Sequence, residues 1–491
     1  MANRPADKFP NYAESLHGRH VIMTDAEEIT MDNISSVLAM ARGVHMRNRG
    51  EIDYLWKYYK GVQPILTREK QVRPEINHKV VENRANQIVN FKVGYCFGEP
   101  IQYVSGKSDK SIGEAVAQLN EYSSAEDKAT KDTELAYWMH ICGTGYRMVL
   151  PDSSAWEGHD EAPFELSTLD PRDTMVIYQN RPGRKPLMGV TIVQLQDKRN
   201  LYCCYTDRLY VEIAEDVPGE YIKGTVVKSS SHALGTIPII EYPLNPERMG
   251  CFEVVLPLLD AINETASDRQ NGIDQFIQAL LVFYNVDIDD KEYTSLRESG
   301  ALKLKDSDPQ FKSKVEYLIN ALDQNGAESL TDHQYQTVLE IVGMPNRNGG
   351  SSTSDTGVAT IIRDGWSDAE SRAKNTEGMF RASEKRTLKL ILRICKDLSS
   401  VKLNLKDIDI QFTRRNYENI SQKAAVLTMM LESDKIHPKL AFEHCGMFVD
   451  PERAYLESEA YMRTIAKEEV DEQTDNQSVN DRADPDDTLR A

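Results

Sequence analysis

Residues 252–283 are FEVVLPLLDAINETASDRQNGIDQFIQALLVF, and this stretch decides the fold. Its apolar side chains recur at three- and four-residue spacing, which is the period of one helix face. They are Val255, Leu258, Leu259, Ile262, Ala266, Ile273, Phe276, Ile277 and Leu280. About 30 residues at a rise of 1.5 Å predict an amphipathic helix roughly 45 Å long. Pro257 falls in its first turns, where proline is tolerated.

The chain that follows is predicted to leave this helix and return through a second one. Residues 287–325 alternate in polarity at Ala301–Lys305 and at Val315–Ile319, which predicts a helix-and-hairpin insertion. A shorter helix is predicted over Ala327–Val342. It is followed by GMPNRNGGSSTS (343–354), the least apolar stretch of the interior, which predicts a flexible loop.

A very long helix is predicted after that loop. Ser354 or Asp355 is placed to cap it, and it extends over Thr356–Leu398. About 40 residues correspond to about 60 Å of helix. A compact globule of 491 residues has a diameter of roughly 60 Å, so this helix would cross the whole subunit. We therefore expect an elongated subunit whose faces need neighbours.

The remaining segments complete a mixed α+β fold, mainly helical, with long amphipathic helices and a small antiparallel sheet. Helical periodicity is present at Ile34–Ala41, Tyr54–Tyr59, Asn77–Phe91, Asp132–His140, Lys423–Leu431, Pro438–His444 and after Pro451. Strand patterns are present at Ile101–Val104, Tyr146–Leu150, Met175–Tyr178, Gly189–Val193, Leu201–Tyr205, Leu209–Val211 and Asp407–Phe412. Residues 467–491 are acidic and almost free of large apolar side chains, which predicts disorder.

Composition limits the classes of protein that the chain can belong to. A length of 491 residues predicts about two to four packed units. No apolar run is long enough to span a bilayer, and the first residues lack the apolar core of a signal peptide, so we expect a protein made and used in cytoplasm. The seven cysteines are odd in number and scattered, which argues against a disulfide framework.

The formal charge is 58 − 77 = −19, which argues against a protein that grips nucleic acid through clustered Lys and Arg. A protein that lets DNA slide past is a different case, because a negative wall prevents adhesion. The net charge therefore excludes a protein that binds the nucleic-acid backbone tightly over its whole surface. It does not exclude a channel through which DNA passes.

Catalytic and cofactor motifs are not found. Gly106-Lys107-Ser108 resembles the end of a phosphate-binding loop, but Ile101 stands where the first glycine is required. The acidic runs are local and do not predict converging carboxylates for two-metal chemistry. His437, His444 and Cys445 offer too few ligands for a metal. We expect no enzyme activity, no cofactor and no metal.

Single reactive residues have plainer interpretations. Cys203 and Cys204 fall within one strand, where neighbouring side chains point to opposite faces, so they are predicted to be small strand residues without redox chemistry. His78, His140, His232 and His333 stand apart from cysteines and are predicted to be structural or surface histidines.

Four segments, in this order, resemble the portal proteins of long-tailed siphophages, and the similarity extends from about Asn33 to Tyr461. The first is NHKVVENRANQIV (77–89) with YCFGEPIQY (95–103), similar to the family's helix, Y-x-x-G-x-P turn and strand. The second is PIIEY (238–242) before LLDAINETASDRQN (258–271), the third is the Ser/Gly-rich loop with the long helix, and the fourth is DIQFTRRN (409–416). Each motif is weak alone, and their order and separation carry the resemblance.

The resemblance implies a ring of about twelve subunits, possibly thirteen in isolation, around a DNA channel at one capsid vertex. It divides the chain into a wing (1–250), a first stem helix (251–283), a clip (284–326), a second stem helix (327–343), a tunnel loop (344–356), a long wing helix and strand (357–416), a crown (417–466) and the acidic tail (467–491). The tunnel-loop residues that would face DNA are Asn346, Arg347, Asn348, Ser351, Ser352, Thr353 and Ser354.

The implied partners are other copies of the chain, double-stranded DNA, the terminase large subunit, a head-tail adaptor protein, and the major capsid and scaffolding proteins, with no membrane. The implied location is the virion, with assembly in host cytoplasm. Two other functions stay open from the residues alone, namely another phage head-completion or adaptor protein and a DNA-processing enzyme. The loop also keeps a second interpretation, a solvated hinge that never approaches DNA.

Overall fold

A computed structural model describes residues 18–71, 73–106, 110–152, 162–219, 224–277, 280–284, 314–318, 324–346, 365–399, 401–413, 420–448 and 451–480. Within them, helices account for more residues than strands, as the predicted mixed fold requires. The helices are α1 (Ile34–Tyr59), α2 (Arg84–Phe97), α3 (Lys110–Ala125), α4 (Lys128–Cys142), α5 (Leu256–Ile277), α6 (Gln324–Val342), α7 (Trp366–Leu398), α8 (Ile420–Leu431), α9 (Pro438–Cys445) and α10 (Pro451–Asn480).

The strands form more sheet than the sequence pattern predicts. They are β1 (Ile22–Thr24), β2 (Gln102–Ser105), β3 (Thr144–Pro151), β4 (Phe164–Leu169), β5 (Thr174–Gln179), β6 (Pro186–Gln194), β7 (Asn200–Tyr205), β8 (Leu209–Ala214), β9 (Thr225–Ser231), β10 (Ile239–Pro243), β11 (Leu280–Tyr284), β12 (Lys314–Leu318) and β13 (Ile408–Gln411). One six-stranded sheet has the order β1-β5-β6-β7-β8-β9. It is antiparallel as expected, except that β1 pairs with β5 in parallel.

Helix α1 connects the two main apolar clusters. Its first half packs Ile34 and Leu38 on the six-stranded sheet, and its second half packs Leu55 and Tyr58 against α2, α4 and α5. The two short helical patterns seen in the sequence are thus one 26-residue helix. Moving the sheet away from the helical part would therefore expose apolar side chains of α1 that are now buried.

The segment Asn77–Asn83 is not helical, so the helix predicted over Asn77–Phe91 is wrong in its first half. Helix α2 begins at Arg84, after Asn83 caps it by accepting a hydrogen bond from the Asn86 amide. The apolar spacing at Val80 and Val81 continues the helical pattern of α2, and that continuity accounts for the error. The true partners of this segment lie almost 200 residues away.

Those partners form a polar stripe on α5. The amides of His78, Val80 and Glu82 donate to Asn271 Oδ1 at 2.7 Å, Ser267 Oγ at 2.9 Å and Asn263 Oδ1 at 2.9 Å. Two extended residues advance about 6.6 Å and four helical residues about 6 Å, so the two periods match. All three stripe residues are buried. We call residues 77–83 the strap, because they fasten α5 along its length.

The ends of α5 also differ from the prediction. A 3-10 turn at Glu253–Val255 precedes it, and Pro257 lies in its first turn as expected. The helix ends at Ile277, and Leu280 belongs to β11, which pairs with β12 in antiparallel. The predicted strand Val315–Ile319 is confirmed by β12, whereas Ala301–Lys305 lies outside the described residues. Helix α6 confirms the predicted Ala327–Val342 with three additional residues at its start.

The long helix is shorter than predicted, since α7 begins at Trp366 and contains 33 residues, about 50 Å. Gly365 stands at its N-cap with φ +84°, a left-handed conformation that interrupts any continuous helix from Thr356. The expected caps Ser354 and Asp355 therefore do not cap α7, and they lie outside the described residues.

The acidic end is a further correction. Helix α10 continues through Asn480, although disorder was expected from residue 467, and residues 481–491 lie outside the described part. Glu, Gln and Lys form helix readily from local hydrogen bonds, so a low apolar content does not exclude one. Helix α3 and strands β1, β4, β9 and β10 are not among the predicted segments.

Two buried histidines should make the fold sensitive to acid. Burial lowers the pKa of His45 and of His140 to about 4. Their neutral rings donate to the carbonyls of Arg172 and Ala136 at 2.9 and 2.7 Å. Because the unfolded chain binds these protons below pH 6.5 and the folded chain does not, stability should fall from pH 6.5 towards 4, by up to about 1.4 kcal/mol per pH unit for each histidine.

Urea unfolding at several pH values measures this slope. The double variant His45→Gln/His140→Gln should show a shallower loss of stability than the unchanged chain over the same window. Equal slopes in the two proteins would assign the acid sensitivity to carboxylates and contradict the prediction.

Candidate functional site: the base of the loop between α6 and α7

Of the predicted DNA-facing loop, residues 344–356, the structure describes only 344–346. Asn346 is half-buried, four residues after the end of α6. Arg347, Asn348, Ser351, Ser352, Thr353 and Ser354 lie outside the described residues. The geometry that bears on the loop is therefore that of its base, which we define as residues 343–346 and 365–366 with the side chains that hold them.

The chain leaves α6 through a glycine turn. Gly343 has φ +62°, and a side chain there would overlap Arg372. The amide of Met344 donates back to the Leu339 carbonyl at 2.9 Å, and the Met344 side chain is buried. A left-handed glycine that closes a helix with such a bond fixes the direction in which the chain departs.

Two cations hold the last carbonyls of α6. Arg372 Nη1 donates to Ile341 O at 2.7 Å, and Lys92 Nζ donates to Gly343 O at 3.1 Å. These carbonyls have no partner within the helix and carry the negative end of its dipole. Burial lowers the pKa of Lys92. Arg372 also contacts Asp368 at 2.9 Å, so the end of α6 is connected to the first turns of α7.

Aromatic side chains hold the start of α7. Trp366 packs on Phe91 and Tyr95, with ring centroids 6.2 and 5.9 Å away. Tyr95 donates its hydroxyl to Glu370 Oε2 at 2.9 Å. Phe91, Lys92 and Tyr95 all belong to α2, so one helix contacts both ends of the loop.

The two ends of the loop meet. A Cβ built on Gly365 would lie 3.8 Å from the Cα of Pro345, which is ordinary contact distance. Pro345 and Gly365, which flank the segment between α6 and α7, thus lie side by side. Sequence reasoning found Tyr95 only as part of a turn motif and missed Lys92 and Arg372, since nothing in the spacing links Lys92 to a loop 250 residues later.

A buried ion network fixes α7 farther along its length. Glu384 contacts Lys128 Nζ at 3.0 Å and Arg147 Nη1 at 3.3 Å, and Asp132 contacts the same two cations at 2.6 Å each. The hydroxyls of Tyr103 and Tyr242 donate to Glu384 at 2.6 Å. The charges balance, two positive and two negative, in a site where every carboxylate oxygen of Glu384 has partners.

The protonation states follow from this geometry. Burial alone would raise the pKa of Glu384, but Lys128, Arg147 and the two tyrosine hydroxyls lower it to about 2. Burial and the adjacent carboxylate of Glu384 raise the pKa of the Tyr103 and Tyr242 hydroxyls well above the usual tyrosine value. The network is therefore ionised at Glu384 and neutral at both tyrosines across the physiological range, which suits a structural joint.

The other residues singled out in the sequence lie in ordinary structural positions. Within the described ranges no cluster of His, Cys, Asp or Glu is arranged to hold a metal ion. His437 caps α9 by accepting a hydrogen bond from the Lys439 amide, and Cys445 is buried. Cys204 is buried and Cys203 half-buried, as expected for neighbours on opposite faces. Burial raises the pKa of the Cys251 and Cys395 thiols to about 12.

Gly106 donates its amide to Asp407 O at 2.9 Å, at the end of the β2–β13 pair, while Lys107 and Ser108 lie outside the described residues. Among the helices that the structure describes, none combines the length and apolar character needed to cross a membrane.

Comparison with solved structures finds similarity to a chain titled "Neck of empty GTA particle computed with C6 symmetry". The identity is 10%, the TM-score is 0.43, and the match covers 74% of this chain and 90% of that one. No curated protein sequence matches the chain. A family model described as "Phage portal protein, SPP1 Gp6-like" matches residues 42–475, which is most of the sequence. The chain therefore belongs to the SPP1 Gp6-like family of phage portal proteins.

Proposed function

We propose that about twelve copies of this portal protein form a closed ring through which double-stranded DNA enters and leaves the capsid. The observation that carries the proposal is the family match over residues 42–475. The loop base supports it, because a loop whose ends are held at one place is suited to project from each subunit towards a common axis. The family is a structural one, and we assign the chain no catalytic step.

The proposal divides the chain as the resemblance implies. Residues 1–250 and 357–416 form the wing, 251–283 and 327–343 the stem, 284–326 the clip, 344–356 the tunnel loop and 417–466 the crown. The pairing of α5 with α6, and the β11–β12 ladder that follows α5 and precedes α6, support the stem and clip assignments. Elongated helices with one buried and one polar face suit packing around a ring.

The loop is proposed to touch passing DNA without gripping it. Asn346, Asn348 and the run Ser351–Ser354 offer neutral hydrogen-bonding groups to phosphates, and Arg347 adds one positive charge per subunit. Neutral donors hold phosphates weakly compared with clustered Lys and Arg, whose binding is driven by counterion release. Terminase, the head-tail adaptor, and capsid and scaffolding proteins are the proposed partners at the ring's surfaces, and the capsid vertex is its proposed location.

Electron microscopy of the purified chain tests the ring. We expect closed rings of about twelve or thirteen copies with an axial opening. A chain that stays monomeric at high concentration, by native mass spectrometry, would contradict the proposed function.

Deleting residues 346–352 tests the loop separately. The deletion removes Asn346, Arg347, Asn348, Ser351 and Ser352 but keeps Gly343, Met344 and the side chains of the loop base. We expect intact rings and impaired DNA packaging in a packaging assay with the matching terminase and capsids. Normal packaging by the deleted chain would favour the solvated-hinge interpretation, whereas loss of rings would show that the loop contributes to assembly.

A further inference from the structure

The C-terminal half of α7 presents a row of basic side chains. Lys385, Lys389, Arg393 and Lys396 are spaced by four, four and three residues, and Arg386 lies three residues before Lys389. That spacing places all five on one face of the helix. All five are exposed, and the row from 385 to 396 is about 17 Å long. We call it the basic ridge.

The basic ridge lacks the acidic partners that other exposed helical cations have. Lys57 pairs with Asp53, Lys110 with Glu114 and Arg463 with Glu459, each one helical turn apart. Within the described residues, no ion pair involves any of the five ridge side chains. Like charges at four-residue spacing destabilise a helix by tenths of a kcal/mol, so the fold gains nothing from this arrangement.

The positive surface continues beyond the helix. Arg184 and Arg386 line one cavity together with the paired Arg248 and Glu241, and the side chain of Arg393 lies over Gly235. Arg184 is exposed and has φ +41°, a strained backbone for a residue other than glycine. The ridge therefore belongs to a wider basic surface that the β5–β6 turn extends.

We infer that the basic ridge binds the phosphate backbone of double-stranded DNA. The net charge of −19 does not oppose this, because a Debye length of about 8 Å makes the field of a 17 Å ridge local. A stable protein interface needs an apolar centre, and no large apolar side chain of α7 is exposed. A backbone contact needs only regularly spaced Lys and Arg.

The ridge is separate from the proposed channel contact. Lys385 lies 19 residues after Trp366, so the ridge begins about 28 Å along α7 from the loop base. A subunit would then meet DNA at two places, of which the loop offers one cation, Arg347, among neutral side chains, and the ridge offers five cations. The inference rests on the proposed function in one respect only, namely that the negatively charged ligand is DNA. Its test does not require DNA to enter a channel.

The test measures binding of the full chain to a covalently closed circular duplex, which cannot thread a closed ring. We expect binding at low salt, with the logarithm of the affinity falling linearly with the logarithm of salt concentration. In Lys385→Gln/Lys389→Gln/Arg393→Gln, the affinity should drop. The salt slope should decrease by about 0.9 for each phosphate that a cation no longer neutralises, about 2.7 in all. The variant Lys385→Arg/Lys389→Arg, which keeps the charge, should bind like the unchanged chain.

A matched control removes three exposed cations elsewhere, Lys57→Gln/Lys110→Gln/Arg463→Gln, and should keep both the affinity and the slope. If the ridge variant also keeps them, the inference is wrong. If the ridge variant loses rings in the electron microscope while its affinity for the circle is unchanged, the ridge contacts a second copy of the chain and the inference is equally overturned. Ring formation and DNA affinity are separate readouts, so failure of the proposed ring and failure of the ridge are distinguishable.

Discussion

Replacing Glu384 with alanine should destabilise the subunit by about 3–5 kcal/mol, the cost of leaving buried charges without their partner. The substitution leaves Lys128 and Arg147 facing a single carboxylate, Asp132, in a site where their side chains are at most 3% exposed. Tyr103 and Tyr242 lose their acceptor as well. Chemical denaturation of the purified chain measures the loss of stability.

Asp368→Ala is the matched control, since it removes one carboxylate from the same helix. Its partner Arg372 is 44% exposed, and exposed pairs contribute at most about 1 kcal/mol. The double variant Glu384→Leu/Arg147→Met removes one charge of each sign and should be more stable than Glu384→Ala alone. A loss below about 1 kcal/mol for Glu384→Ala would mean that the network does not hold α7.

The pH dependence of this joint has a definite direction. The pKa of Glu384 is lowered from 4.5 to about 2, so its contribution is fully present above pH 4.5 and is lost as the pH falls towards 2. The histidines His45 and His140 act at higher pH, between 6.5 and 4. Acid should therefore reduce the stability over both ranges, which overlap between pH 4.5 and 4, and Glu384→Ala should remove only the contribution of the lower range.

Removing the polar stripe of α5 should release the strap. In Asn263→Ala/Ser267→Ala/Asn271→Ala the amides of residues 78, 80 and 82 lose their acceptors. A buried amide without a partner costs about 1–3 kcal/mol, and because these three hydrogen bonds are only part-buried we expect the lower end, about 3 kcal/mol in all. Alanine is a better helix former than Asn or Ser, so a loss of stability cannot come from helix propensity.

Hydrogen exchange gives the sharper measurement for the strap. In the unchanged chain the amides of His78, Val80 and Glu82 should exchange slowly, and the triple variant should make them exchange rapidly. Thr265→Ala is the control, because its hydroxyl donates to Ala261 O of the same helix at 2.9 Å and makes no bond to the strap. Slow exchange of the three amides in the triple variant would show that the strap is held by something other than the stripe.

The sequence was sufficient for elements whose signals are local. Helix α6 was predicted to within a few residues because its apolar period and the glycine at its end are contiguous, and β12 because its residues alternate. Sequence patterns mispredict a segment when hydrogen bonds to residues far away in the chain determine its backbone conformation. The strap carries a helical apolar pattern, but Ser267 and its neighbours on α5 accept its amide hydrogens.

At the loop base, too, local signals can be read from the sequence whereas contacts between distant residues cannot. Gly365 could have suggested that α7 begins there, but a lone glycine inside a helical pattern is usually tolerated. Lys92, Arg372, Arg147 and Glu384 are ordinary surface residues by their spacing, and only the fold shows which of them become buried partners. The basic ridge, by contrast, is visible in the sequence as the four-residue spacing of Lys385, Lys389 and Arg393, although the net charge of the chain is −19.

The meeting of Pro345 with Gly365 has a thermodynamic consequence for the segment between them. The contacts that hold the two ends belong to α2, α6 and α7. The entropy of closing a flexible loop grows only with the logarithm of its length, and doubling that length costs about 0.6 kcal/mol. We therefore expect insertions between these two residues to cost little folding stability.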